Sequence, residues 1–549
     1  MAKLLRTFRD FSGGLSEVAN DNMKDNQLVA AKNIIPGDGY GIARTHGTNI
    51  AYKRITTTGK VVRVIELQAI IDSVAELQTL AFTLEDNGKE HIHVWDSVAE
   101  EWNTMQEEGA AKEIDPIKSW FVFANKLYWL DGINFWIYDG NSITAAAINN
   151  ATSSSTGFTD FADKIRESVA VVRRGTRWFF AHGADEVIFS EINKPTTFTM
   201  TNIINVTTAD NDYLTALHAF NDGLLIFKKR SVHHLSGWDF AQGSDIQLIQ
   251  LNVTSGTEWP LTIKTVENAV LYLGVNGIYR LYVPYTTSQI AAKNISEKKI
   301  SNHLYDEGKL TGARAEVWDN IYYLSVDNII NGAVVNREYR YYIEEASFYG
   351  EFTQCAYAYM PALSGEDRLY LGSDNGYILY YDPNSHHYIN TNTGAPTTIP
   401  IEAKTKGIDV VGTVFQDAKV KKAFLSVKQY EAESSGLTMQ IKADYADAAY
   451  ATSISSVDDI LAEAKIFSMD FDEALIYSEG EFGEARWGWL ETVTKEISIG
   501  RKCKRLQFIF TGDLAQPLLI YGIGILYKKK KVKGNREGVE SAPIVYPEE

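Results

Sequence analysis

Short apolar segments recur along the chain in pairs, each pair split by a polar turn. "AFTLEDNGKEHIHVWDS" begins at Ala81, "KLYWLDGINFWIYDG" at Lys126, "RWFFAHGADEVIFSE" at Arg177 and "GLLIFKKRSVHHLSG" at Gly223. "AVLYLGVNGIYRLYV" follows at Ala269, "NIYYLSVDNIINGAVVNREYRYYI" at Asn320 and "RLYLGSDNGYILYYD" at Arg368. Gly, Asn or Asp makes the turn in all but the fourth, where Lys-Lys-Arg-Ser stands. Strand, turn and strand in this order predict a β-hairpin. The last apolar residues before the turns are Leu84, Leu130, Phe180, Phe227, Leu273, Leu324 and Leu371, with gaps of 46, 50, 47, 46, 51 and 47 residues.

A period in the forties with about four strands per unit predicts a β-propeller. A single four-stranded blade leaves both faces of its sheet bare. Blades fanned about an axis cover one another, and aromatic rings fill the wedges between them. The aromatic stretch from Lys126 to Ala145 therefore reads as blade core rather than as a ligand box. The segments "IKSWFVFA", "ESVAVVRRG", "YLTALHAFNDG", "LTIKTVENA", "TGARAEVWDN" and "CAYAYMPALSGED" precede the hairpins and read as innermost strands. Seven repeats are marked; closure with six or eight stays open. "NISEKKISNHLYDEGKL" has a helical pattern, with Ser296 placed as its N-cap.

After Asp382 the pattern changes. "PNSHHYINTNTGAPTTIPI" is a polar linker, and the strands beyond it are longer: "IEAKTKGIDV", "VKKAFLSVKQYEA", "LTMQIKADYA", "KEISIG", "KRLQFIFTG" and "PLLIYGIGILYKKKK". Ala423, Leu425 and Val427 alternate onto one face, as in a half-buried strand. These segments predict an antiparallel β-sandwich, with a short inserted helix capped near Ser456–Asp459. The fold class expected is all-β: a propeller of about seven blade-like repeats, then a C-terminal sandwich, with extended arms at both ends. The expected divisions are 1–45 for an extended N-terminal arm and first strand, 46–385 for the propeller, 386–530 for the sandwich and 531–549 for a polar tail.

Composition narrows the functions. The 549 residues carry a net charge of −17, which speaks against a protein that clamps DNA phosphates. The basic exception is the run Lys528, Lys529, Lys530 and Lys531, which reads either as a solvated strand end or as a contact for an acidic partner or for phosphates. No apolar run reaches the roughly 20 residues of a membrane span, and the first residues lack a secretory h-region. Cys355 and Cys503 have no metal spacing around them and read as small buried hydrophobes.

No catalytic constellation stands out. Phosphate loops, dinucleotide fingerprints, HExxH and GxSxG are all missing from the sequence. His233–His234 and His386–His387 are adjacent pairs, and strand neighbours point to opposite faces. Asp131, Asp139, Asp374 and Asp382 sit in hairpin turns, where Asp serves backbone hydrogen bonds. The Asn-x-Ser/Thr sites at Asn150, Asn205, Asn252 and Asn294 read as chance. Neither an enzyme nor a cofactor nor a metal is expected.

The N-terminal stretch "FRDFSGGLSEVANDNMKDNQLVAAKNIIPGDGYGIARTHGT" resembles the opening of tailed-phage virion proteins, through Phe11, Gly13, Gly14, Leu15, Asn33, Gly39, Arg44 and Gly47. "LLIFKKRSVHHLSGWD", "SGTEWPLTIKTVENAVLYLGVNGIYRL" and "ARAEVWDNIYYLSV" look like the same proteins' blades, and "IPIEAKTKGIDVVGTVFQDAKVKKAFLSV" is similar to their sandwich. The likeness is to the β-propeller nozzle, or tail tubular B, family of short-tailed phages. It implies a non-enzymatic virion tail protein, made in the host cytoplasm. It also implies a homo-oligomeric ring, usually of six copies, between adaptor and fibre or tip proteins. DNA would pass through its channel without sequence-specific binding. Acidic groups lining that channel would keep phosphates from sticking. Arms that order against neighbouring protomers would place Phe8, Phe11, Leu15 and Lys528–Lys531 among the partner contacts. Another virion role, such as tail hub or receptor contact, remains the alternative, with a propeller lectin or glycosidase behind it.

Overall fold

The computed structural model describes residues 3–529 except 19–21, 38–40, 56–58, 72, 108–109, 153–156, 207–211, 222, 238–245, 285–288, 306–308, 355, 362–365, 412–417, 430–436, 444–464, 470–492, 500–501 and 515–517. Seven antiparallel sheets follow one another from Lys60 to Asp382. We number them blades 1 to 7. Their first strands are Lys60–Ile71, Ser119–Phe123, Ala170–Arg174, Leu214–Phe220, Lys264–Val266, Lys309–Trp318 and Ala358–Pro361. First strands of neighbouring blades lie side by side, as in blades 2 and 3, 3 and 4, 5 and 6, and 7 and 1, so they form the inner wall. Each of the seven apolar marks read from the sequence falls on the second strand of a different blade. The fold is a seven-bladed β-propeller followed by a sandwich.

Closure comes from the start of the chain. Blade 7 takes its fourth strand from Gly47–Ile50, which pairs with Leu379–Asp382 in antiparallel register. The last blade is thus finished by residues from the start of the chain. Tyr370 and Ile378 of blade 7 then pack on Val61 and Ala81 of blade 1.

Aromatic rings fill the wedges, as the sequence suggests. Leu127 and Trp129 of blade 2 meet Leu67, Leu80 and Phe82 of blade 1. On the other face of blade 2, Tyr128 and Phe135 meet Trp178 and Phe180 of blade 3. Phe135 and Phe180 stand edge to face at 5.6 Å, as do Phe227 and Tyr272 of blades 4 and 5 at 5.1 Å. Such pairs add about 0.5–1.5 kcal/mol beyond the area they bury.

Two sheets make the sandwich. One orders Ile34–Pro36, Ile42–Arg44, Leu518–Lys529, Ala418–Gln429 and Val493–Ser498, with Leu4–Phe8 also against Leu518–Lys529. The other orders Leu28–Lys32, Ile399–Thr405, Arg505–Leu514, Leu437–Ala443 and Lys465–Met469. Lys32 pairs with Gly350, so this second sheet runs on into blade 6. One apolar core spans the sandwich, blade 6 and part of blade 5.

Three expectations need amending. The N-terminal arm orders within its own chain: it adds Leu4–Phe8, Leu28–Lys32, Ile34–Pro36 and Ile42–Arg44 to the sandwich before closing the propeller. Without it, Leu518–Lys529 and Ile399–Thr405 would each present an open edge. Ser296 does not cap a helix. Its hydroxyl accepts the Ile278 N–H at 2.9 Å and donates to Asn294 at 3.0 Å, and only the single turn α2 (Ser301–Tyr305) follows. Conversely, α1 (Phe158–Arg166) was not expected; it lays Phe161 and Ile165 against Phe198 and Phe180. The inserted helix near Ser456, the tail 531–549 and Cys355 lie outside the described residues.

Candidate functional site

Of the residues that carried the resemblance, Gly39 lies outside the described residues, while Phe11, Gly14, Leu15, Asn33, Arg44 and Gly47 sit at joints. Leu15 donates its N–H to Phe348 O at 2.8 Å, and Gly14 O accepts the Leu28 N–H at 2.9 Å. Gly14 holds φ +60, and a Cβ there would come within 2.5 Å of Phe348 O. A residue with a side chain would be strained on both counts. The Phe11 carbonyl accepts the Tyr349 hydroxyl at 3.1 Å.

Asn33 is the central fastening. Its amide donates to Thr353 Oγ1 at 2.9 Å and to Pro400 O at 2.6 Å. Its Oδ1 accepts the Thr353 N–H at 2.9 Å and the Tyr388 hydroxyl at 3.1 Å. Two donors and two acceptor positions are all used, tying the arm to the end of blade 6, to the linker and to the sandwich. Arg44 donates to His386 O at 2.5 Å, and burial lowers its pKa to about 10. Gly47 approaches Ser385 and His387 so closely that any Cβ would strike their carbonyls.

Behind these joints lies a charged pair without solvent. Arg340 Nε donates to Glu338 Oε1 at 2.8 Å, both side chains almost wholly buried. Glu338 also accepts the hydroxyls of Tyr359 at 2.6 Å and Tyr381 at 2.8 Å, from blade 7. Arg340 donates to Thr45 Oγ1 at 2.9 Å and stacks over Phe352 at 3.7 Å. Burial opposes the Arg340 charge, yet Tyr381 and Glu338 hold its pKa well above the ordinary value. Blade 6, blade 7 and Thr45, just before the closing strand, therefore meet at one polar knot. Nothing in the sequence marked it, since Glu338 and Arg340 share their strand face with Asn336 and Tyr342.

The inner wall is stitched by side chains across blades. Ser119 and Val171 exchange hydrogen bonds at 3.2 and 3.0 Å. His218 meets Thr265 at 2.7 Å, and Lys264 pairs with Glu316 at 2.6 Å. These groups are of mixed charge, and none forms the carboxylate pair a glycosidase needs. Asp131 accepts the Ile133 and Asn134 N–H groups and the Trp136 indole, and Asp139 accepts the Asn141 and Ser142 N–H groups. Both are turn acceptors. His233 and His234 face opposite sides of their strand, against Ile226 and Leu225 in the register. Among the described residues, no three His, Cys, Asp or Glu could hold a metal ion, and no helix is long and apolar enough to cross a membrane.

The expected partner contacts separate into two groups. Phe8, Phe11 and Leu15 are buried in the chain's own core, so they do not offer their side chains to a neighbour. Lys528 and Lys529 end a sandwich strand, the second of them exposed, while Lys530 and Lys531 lie outside the described residues. Cys503 is buried.

No family model matches the chain, and no curated protein does. Solved structures similar to it include the extracellular domain of a putative hybrid two-component system from B. thetaiotaomicron (11% identity, 72% of this chain and 45% of that one, TM-score 0.39). Raptor from Chaetomium thermophilum is similar at 11% identity over 62% of this chain and 30% of that one, with a TM-score of 0.38. The Pan2 WD40 domain of Neurospora crassa is similar at 8% identity over 60% of this chain and 90% of that one, with a TM-score of 0.34. The chain spans less than half the length of the first two. The fold rests on the seven sheets and the closing strand, and these likenesses add nothing to it.

Proposed function

We propose that this chain is a structural, non-catalytic component of a phage tail, a nozzle-type subunit that assembles into a ring and lets DNA pass through the central opening. One observation supports this above the others. The described residues of the resemblance hold the arm together or fasten it to the propeller, the linker or the sandwich, rather than lining a pocket. On this reading, the residues behind the resemblance serve to lock two β domains into one body. A subunit that bears load during ejection needs that lock. The net charge of −17 fits the same reading, since a channel with surplus carboxylates repels phosphates and leaves DNA free to slide.

The test is imaging of purified full-length protein and of source particles. Rings with a central hole, located in the tail, support the proposal. A protein that stays monomeric at high concentration and cleaves or binds glycans would replace it with the lectin or glycosidase reading.

A further inference from the structure

One end of the sandwich carries a row of lysines that the fold itself assembles. Lys419 stands directly across from Lys528 on one side and from Lys502 on the other, in antiparallel register. Residues paired in this way send their side chains to the same face of the sheet. Lys3 precedes Leu4, the register partner of Tyr527, and extends the row towards a fourth strand. Adjacent strands lie only ~4.8 Å apart, and like charges directly opposite each other destabilise a sheet. Among the described residues, no carboxylate bonds to Lys419, Lys502 or Lys528.

Beside the row the same face is mixed: Lys422 stands across from Leu526 and Glu496 across from Phe424, with apolar side chains between them. Alternation that turns Lys528 outward also turns Leu526 outward, and Leu5 pairs with it. Leu5 is 61% exposed. Two positions further along, Gly524 pairs with the half-buried Phe424. With no side chain at Gly524, Phe424 and Leu5 border a flat strip. Among the described residues the face therefore offers ammonium groups and, next to them, the exposed Leu5 with the half-buried Leu526 and Phe424.

The geometry points to this face as the docking site for an acidic protein segment that also carries apolar side chains. Such a segment neutralises the lysine row and covers Leu5, Leu526 and Phe424. A nucleic-acid backbone would do the first and leave the second wet. The chain's overall negative field also opposes nucleic acid more than a short peptide, because duplex contacts rest almost wholly on charge.

The full-length chain can be titrated with labelled probes by fluorescence anisotropy. The probes are a peptide of Glu-Leu-Glu-Gly repeats, a matched peptide with Gly for Leu, and a short DNA duplex. The Leu-containing peptide should bind most tightly. The triple change Lys419→Glu, Lys502→Glu, Lys528→Glu should weaken it roughly tenfold or more, and Leu5→Ser should weaken it less. Lys419→Gln alone removes two repulsions, so the free chain's melting temperature should rise, a readout independent of any ligand. Failure of the Leu-containing peptide to bind, binding unaffected by the charge reversal, or tighter binding of the duplex would each overturn the assignment, as would a lower melting temperature for Lys419→Gln.

Discussion

At the scale of single residues, stability concentrates in buried polar groups that have partners. Breaking a buried ion pair by removing one member typically costs about 3–5 kcal/mol, while replacing both members with apolar groups can be close to neutral. Arg340→Met should therefore cost about 3–5 kcal/mol in urea unfolding, because Glu338 is left charged and dry. The double change Glu338→Gln, Arg340→Met should cost less than the sum of the singles. Additive losses would show that the two side chains act independently. A second residue sets a pH limit. His93 lies between Thr83 and Thr104 at 2.8 and 2.9 Å, and burial first, then His91, lowers its pKa from 6.5 to about 4. The unfolded chain binds the proton more readily between those values, so stability is fully present above about 6.5 and is lost as pH falls towards about 4. At about 1.4 kcal/mol per unit, the loss is on the order of 3 kcal/mol. His93→Gln should flatten that slope between pH 7 and 5, as read by melting temperature; an unchanged slope would assign it to other groups. The sequence does not announce the first of these sites. Alternation with Tyr339 and Tyr341 would as readily turn Glu338 and Arg340 outward, and nothing local reveals that Tyr359 and Tyr381 supply the hydroxyls from another blade.

At the scale of elements, the hairpins were legible because each blade repeats the same local rule. An apolar strand, a polar turn and a second strand encode themselves within about a dozen residues, and the seven marks land on seven second strands. Sandwich strands such as Ala418–Gln429 were legible for the same reason. The arm was not. Leu28–Lys32 and Gly47–Ile50 find partners more than three hundred residues away, at Ile399–Thr405 and Leu379–Asp382. A strand whose partner is so distant looks like unstructured chain when read alone. Helix α1 could have been found, since Phe158, Phe161, Ala162 and Ile165 follow a helical spacing. The closing strand gives a direct prediction. Gly47→Ala forces a methyl against the Ser385 and His387 carbonyls, and should cost about 1–3 kcal/mol in equilibrium unfolding. Gly14→Ala, strained by its φ of +60, should cost a similar amount. Wild-type stability in either variant would mean that the arm is not the fastening it is taken for.

At the scale of the whole molecule, two β domains are bound by one arm and one continuous sheet. Lys32 joins the sandwich to blade 6, Asn33 ties both to the linker, and Gly47–Ile50 finishes the ring of blades. Moving the sandwich relative to the propeller would break those bonds together. A rigid body of this kind is compatible with the proposed ring, which rests on the resemblance. The sequence names the architecture better than the assembly, because packing within a chain leaves periodic marks and packing between copies does not. The most direct test of the account is cryo-electron microscopy of the source particle with this chain located in the map. The account predicts several copies of the seven-bladed subunit around an open, carboxylate-rich channel in the tail. Copies with no shared axis, or a channel lined by lysine and arginine, would contradict it.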